Sequence, residues 1–70
     1  MDIKAHLPGR VTEVLVQHGQ TVAKGAVLVA LEVMKTRVEV RADRDGIVNH
    51  VAVKDGDEVL MGQLLVRIVP

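Results

Sequence analysis

Residues 8–32 read PGRVTEVLVQHGQTVAKGAVLVALE, and residues 45–69 repeat this pattern without a gap as DGIVNHVAVKDGDEVLMGQLLVRIV. The two copies are 37 positions apart, and three glycines of the first copy coincide with three of the second. A repeat at a fixed period usually means that each copy is one supersecondary unit that needs its partner to close a core. Because there are only two copies, we predict a closed domain with pseudo-twofold symmetry rather than an open stack.

Valine is the residue that decides the secondary structure. Fifteen of the 70 residues are valine, whose branched side chain suits a pleated, half-buried strand better than a helix. In each copy the valines skip one position of the strand alternation, between Val11 and Val14 and again between Val48 and Val51, which predicts a β-bulge. The sequence therefore predicts an all-β fold, built as a thin flattened barrel or sandwich with small side chains between its faces.

Glycine marks the expected turns of both copies. Pro8-Gly9 and Asp45-Gly46 open each copy and are interpreted as turns. His18-Gly19 and Asp55-Gly56 offer positions where glycine can adopt a positive φ at no steric cost.

Composition excludes several classes of function. The chain has nine basic and nine acidic residues, no cysteine and no aromatic residue, so it offers neither a basic field for nucleic acid nor rings for base stacking. No apolar run approaches the roughly 20 residues of a membrane span. We expect a single, monomeric domain over residues 1–70, with no nucleic-acid or membrane partner. Its expected location is the cytoplasm, or an organelle matrix if it is cut from a larger processed protein.

Met34-Lys35 lies between the two copies, at the midpoint of the chain. The apolar runs 26–33 and 37–41 flank it closely, which predicts a β-hairpin with a two-residue loop. Such loops favour Asn, Asp or Gly, and another residue held there costs about 1–3 kcal/mol. Strain of this kind persists where a site uses it, so Lys35 is the candidate functional residue.

The segment Glu32-Val33-Met34-Lys35-Thr36 resembles the Glu-Ala-Met-Lys-Met motif of biotinyl carrier domains. The resemblance extends over almost the whole chain through two half-motifs, residues 2–32 and 39–69, joined by the hairpin around 33–37. It implies the barrel-sandwich hybrid of the biotinyl and lipoyl family, in which two four-stranded antiparallel sheets are related by a pseudo-twofold axis. It also implies that Lys35 is the biotin attachment residue.

The flanking residues refine the resemblance. Val33 stands where bacterial carriers usually have Ala, and Thr36 stands where they usually have Met. Lipoyl domains also carry a Glu that matches Glu32 but usually place Asp before the lysine, so Met34 favours biotin over lipoate. By resemblance, Glu32, Val33, Met34 and Thr36 are the flanking residues through which a biotin protein ligase recognises Lys35.

A carrier of this family is a substrate of enzymes and catalyses nothing itself. None of the neighbours of Lys35 is a base that would deprotonate its ammonium, so a biotin protein ligase must activate the reaction. The resemblance implies that the biotinylated domain is a swinging arm, which moves carboxybiotin from a biotin carboxylase to a carboxyltransferase of a multi-component carboxylase. A lipoyl carrier for acyl or aminomethyl transfer and an unmodified structural module are the alternatives.

Simpler interpretations apply to several residues. Met34 could fill a gap in the core, and Glu32 could be an ordinary surface charge at a strand end. The three histidines fit no metal-binding spacing, and the carboxylates of residues 55–58 are better explained by hydration around a glycine turn than by a calcium loop. We therefore predict neither a metal site nor a catalytic residue.

Overall fold

The computed structural model describes all 70 residues and shows a protein of eight short strands. The strands are β1 (Asp2–Lys4), β2 (Gly9–Val14), β3 (Thr21–Val22), β4 (Val27–Val33), β5 (Thr36–Arg41), β6 (Gly46–Val51), β7 (Glu58–Val59) and β8 (Leu64–Val69). The chain forms no helix that would be long and apolar enough to cross a bilayer. The all-β prediction is confirmed.

The strands form two antiparallel sheets of four, in the orders β1-β8-β6-β3 and β5-β4-β2-β7. Adding 37 to the residue numbers of β2 and β3 gives the bounds of β6 and β7, and the same shift relates the two sheets strand by strand. Each sheet therefore combines strands from both copies of the repeat. Neither copy can complete a sheet alone: β2 and β4, like β6 and β8, pair within a copy, but β7 pairs with β2 and β3 pairs with β6 across the two copies.

The core lies between the inner faces of the two sheets. It is a cluster of 15 buried aliphatic residues without any aromatic ring, centred on β4 and β8. The predicted bulges are present, because the register of β2 against β4 shifts between Val11 and Glu13, and that of β6 against β8 shifts between Val48 and His50. A bulge increases the local twist of a strand, which helps each sheet to curve around this thin core.

Glycines play two different roles in the two copies. Gly19 and Gly56 have φ angles of 89° and 92°, which confirms the positive φ expected of them. The interpretation of Pro8-Gly9 and Asp45-Gly46 as turns is wrong, because Gly9 and Gly46 are the first residues of β2 and β6. Glycine is needed at these two positions because neighbouring backbone leaves no room for a Cβ atom.

The molecule is elongated, with extents of 33 × 18 × 18 Å. The hairpin between β4 and β5 lies at one end of the sheets, and the pseudo-twofold relates it to the end of β8 at the other. The amino group of Met1 donates a hydrogen bond to the carbonyl of Ile68, and this contact lies at the opposite end.

Candidate functional site

A two-residue hairpin presents Met34 and Lys35 at the end of the molecule. Val33 and Thr36 are the last paired residues of β4 and β5, and the φ angles of Met34 and Lys35 are 50° and 63°. Positive φ at both central positions defines a type I′ turn, whose twist matches that of the strands it connects. The predicted hairpin is confirmed, as is the unfavourable conformation predicted for its two residues.

The two tip residues face solvent. Met34 is 93% exposed, so the interpretation of this residue as core filler is wrong. Lys35 is also exposed, and its ammonium takes part in none of the side-chain hydrogen bonds or ion pairs of the molecule. The amine is therefore accessible for acylation, which would convert its charge into a neutral amide.

The base of the hairpin is fixed by a close approach of β2 to β4 that the sequence did not predict. A Cβ atom on residue 9 would lie 2.6 Å from the carbonyl oxygen of Glu32 and 2.9 Å from Cγ2 of Val33. Val33 itself is half-buried and packs against the core. The only signal in the sequence is that glycine recurs at the equivalent position, Gly46.

Charged side chains cross the outer face of the sheet below the hairpin. A guanidinium nitrogen of Arg10 lies 3.5 Å from a carboxylate oxygen of Glu32, and Arg37 reaches Glu13 and Glu39 at 3.5 Å each. All of these side chains remain substantially exposed, so each pair contributes about 0–1 kcal/mol to stability. Glu32 is thus a paired surface charge at a strand end, and its role in ligase recognition stays a prediction.

The acidic cluster at residues 55–58 has a structural role instead of simple hydration. A carboxylate oxygen of Asp55 accepts a hydrogen bond from the backbone amide of Val14 at 2.9 Å, and Asp57 accepts one from the amide of Lys54 at 3.0 Å. The first bond joins β2 to the turn before β7. No group of three or more histidine or acidic side chains is positioned to hold a metal ion.

A groove of about 390 Å³ runs between the edge strands β1 and β5. Its apolar wall includes Ile3, Leu31 and Val40, and it extends to Leu7 and Val33 near the hairpin. Lys35 does not line it. The candidate site is therefore a projecting side chain rather than a cavity.

Residues 1–68 match the family model described as Biotin-requiring enzyme, the biotin/lipoyl family. The chain belongs to this family, and the fold and the exposed hairpin lysine agree with that membership. The barrel-sandwich architecture inferred from the resemblance is thereby confirmed.

The chain is similar to curated proteins of very different lengths. It is 42% identical over 64 residues to the biotinylated protein TB7.3 homolog of Mycobacterium leprae, covering 91% of this chain and 90% of that protein. It is 41% identical over 66 residues to a pyruvate carboxylase of Staphylococcus aureus, covering 94% of this chain but 6% of that protein. The similarity therefore includes a protein of nearly the same length and one region of a far longer protein.

Solved structures extend the likeness to lipoyl domains. The urea carboxylase of Kluyveromyces lactis matches with a TM-score of 0.92 and 30% identity, over 99% of this chain and 6% of that one. The lipoyl domain of the 2-oxoglutarate dehydrogenase complex of Azotobacter vinelandii matches with a TM-score of 0.78 and 30% identity, over 90% and 80% of the respective chains. The protein is thus a biotin/lipoyl attachment domain that is similar to domains found in carboxylases.

Proposed function

We propose that Lys35 is the biotin attachment residue and that the domain carries a carboxyl group between a biotin carboxylase and a carboxyltransferase. The conformation of Met34 is the observation that carries this proposal. Met34 has a φ of 50° and is 93% exposed, so it bears conformational strain without any compensating burial. Strain at such a position is retained where a site uses it, and we assign its use to recognition by the ligase.

The attachment reaction requires only that Lys35 reach a ligase active site. The Nζ atom, once deprotonated by the ligase, attacks the carbonyl carbon of biotinyl-adenylate. An amide bond forms, the bond to the phosphate oxygen breaks, and AMP leaves. Biotin attached to Lys35 would supply a ring that accepts a carboxyl group at one enzyme and yields it at another.

The type I′ hairpin holds the base of the arm while leaving the arm itself mobile. Gly9 and the half-buried Val33 fix the hairpin on the body of the domain, and no hydrogen bond or ion pair holds the Lys35 side chain. Tethering raises the local concentration of the prosthetic group at both enzymes toward the mM range without tight docking.

A lipoyl carrier is the second candidate function, and the likeness to a solved lipoyl domain favours it. Lipoate is also attached through an amide to lysine, so the geometry of Lys35 suits both groups. The two candidates differ at the residue before the lysine, where Met34 stands instead of an aspartate.

Intact mass measurement after incubation with each ligase tests the proposal. The protein is treated with biotin, ATP and a biotin protein ligase, and separately with lipoate, ATP and a lipoate ligase. We expect one biotinyl group in the first reaction, none on Lys35→Arg, and full modification of the matched turn variant Lys24→Arg. A protein left unmodified in both reactions would refute the carrier function and favour an unmodified structural module.

A further inference from the structure

Four large apolar side chains are exposed at the end of the domain that carries Lys35. Their exposed fractions are 51% for Leu7, 93% for Met34, 73% for Leu60 and 72% for Met61. We call these four residues the apolar end surface. Large apolar side chains exposed at one end of a small protein commonly mark an interaction site.

Strand register places Leu60 and Met61 beside the hairpin although they follow Lys35 by some 25 residues. Val59 pairs with Gly9, and Gly9 is in contact with Val33 at the base of the hairpin. Leu60 continues β7 in the direction of the hairpin. Because β7 and β4 are separated by β2 alone, two strand spacings, or about 10 Å, separate Leu60 from the hairpin across the sheet.

The turn that carries Leu60 and Met61 is held in one conformation. The carbonyl of Leu60 accepts a hydrogen bond from the amide of Gln63 at 3.1 Å, and the side-chain oxygen of Gln63 accepts one from the amide of Leu60 at 3.0 Å. Gly62 supplies the positive φ, 86°, that this turn requires. The backbone of this turn is therefore already ordered before any partner binds, and binding needs to order only its side chains.

The opposite end of the molecule serves as an internal comparison, because the pseudo-twofold relates the two ends. The positions equivalent to three of the four residues hold small or cationic side chains there. The equivalences are Leu7 with Arg44, Leu60 with Ala23 and Met61 with Lys24. The same type of turn forms at Ala23-Lys24-Gly25, with Gly25 at a φ of 91°, so the fold does not require apolar residues at this turn.

We propose that the apolar end surface is the docking site for the biotin protein ligase, an inference that rests on the proposed function. The ligase is the enzyme that meets Lys35 before modification, when the amine lies at the end of a four-carbon stem. To place that short side chain in its active site, the ligase must press against the end of the domain. Enzymes that act later reach a longer, biotinylated arm and can engage it from further away.

Exchange of residues between the two ends tests this proposal with turn sequences that the protein already contains. L60A/M61K gives the Lys35 end the residues of the opposite end, and A23L/K24M makes the reciprocal change. Met61→Gln removes apolar character without adding charge. Initial rates of biotinylation are measured against protein concentration, and circular dichroism verifies that each variant is folded.

We expect L60A/M61K to reduce kcat/KM by about tenfold or more, as loss of two exposed anchors at an interface does. We expect the reduction to arise from a higher KM. Met61→Gln should show a smaller reduction in kcat/KM, and A23L/K24M should behave like the unaltered protein. Equal biotinylation rates for all variants would overturn the proposal. It would also be overturned if the variants lost activity only in carboxylase assays, or if they changed only the self-association of the domain in analytical ultracentrifugation. Failure of the unaltered protein to accept biotin would instead refute the proposed function.

Discussion

The carbonyl oxygen of Glu32 lies 2.6 Å from the position that a Cβ atom on residue 9 would occupy, so β2 approaches β4 this closely only because residue 9 is glycine. The pseudo-twofold repeats the relationship at the other end of the molecule, where a Cβ on residue 46 would lie 2.5 Å from the carbonyl oxygen of Val69. Only the first of these contacts adjoins the hairpin of Lys35. Substitutions at the two glycines can therefore distinguish an effect on the stability of the fold from an effect on the geometry of the site.

Gly9→Ala is expected to lower the free energy of unfolding by about 1–3 kcal/mol, because the added methyl group overpacks a backbone contact. It should also slow biotinylation of the folded protein, since β4 must shift next to Lys35. Gly46→Ala is the matched control, with a similar loss of stability and an unchanged modification rate. Equal slowing by both substitutions would show that the effect is global. Urea denaturation and mass-detected ligase assays supply the two measurements.

Gly56→Ala isolates the conformational cost of a positive φ. Nothing lies within 4 Å of the position where the new Cβ would stand, so no steric clash contributes. We expect a loss of about 1–2 kcal/mol, which corresponds to a fall in Tm of several degrees for a domain of this size. Gly19→Ala should behave alike, because its φ is 89°. An unchanged Tm for both variants would contradict the role assigned to these turns.

The double substitution M34N/K35G is expected to stabilise the protein. Asn-Gly is the preferred sequence of a type I′ turn, and relief of two strained residues should raise the free energy of unfolding by about 1–3 kcal/mol. The variant has lost Lys35 and should accept no biotin. Lys35→Arg serves as the control, with the same loss of modification and no gain in stability. Thermal unfolding of the two variants decides whether the hairpin gives up stability for its function.

Met34→Asp is expected to shift modification from biotin toward lipoate. Aspartate tolerates a positive φ better than most residues, so the hairpin should retain its conformation. The rates of the two ligases on one preparation, measured by intact mass, give the preference directly. Thr36→Met is the comparison variant and should raise the rate of biotinylation alone. If Met34→Asp left the ratio of the biotinylation and lipoylation rates unchanged, Met34 would not determine which ligase modifies the domain.

The ion pair between β1 and β8 predicts a dependence of stability on pH. Nε of Arg67 donates a hydrogen bond to a carboxylate oxygen of Asp2 at 2.8 Å, and this bond lowers the pKa of Asp2 below its ordinary value. A lowered folded-state pKa stabilises the fold above the ordinary aspartate value, about 3.9, and this contribution is lost as the pH falls through the folded-state pKa.

Unfolding measured from pH 6 to pH 2 checks this dependence. Asp2→Asn should lack the part of the free energy of unfolding that the unaltered protein loses in acid. The difference in stability between the two proteins should also shrink in high salt, because the pair is exposed to solvent. A constant difference across the whole pH range would contradict the assignment.

The hairpin and the strands were predictable because their causes are local. A two-residue loop between apolar runs predicts a hairpin whatever the remainder of the chain does, and the gap in the valine alternation at Val11 and Val48 marks a bulge within a single strand. The biotin/lipoyl family was recognisable for the same reason, since its motif is contiguous around Lys35. The sequence left two environments open for Met34, the hairpin loop and the core, because methionine also packs readily in cores.

The sequence by itself determined that the chain is all-β, that it is built from two equivalent halves and that Lys35 lies at the tip of a hairpin. Propensity, glycine conformation and loop length act between neighbouring residues, so these features can be read from the chain. The tertiary structure alone decided that β2 and β4 meet at Gly9 and that Leu60 and Met61 stand beside Lys35. Those contacts depend on the order in which distant strands pair, which no local preference specifies.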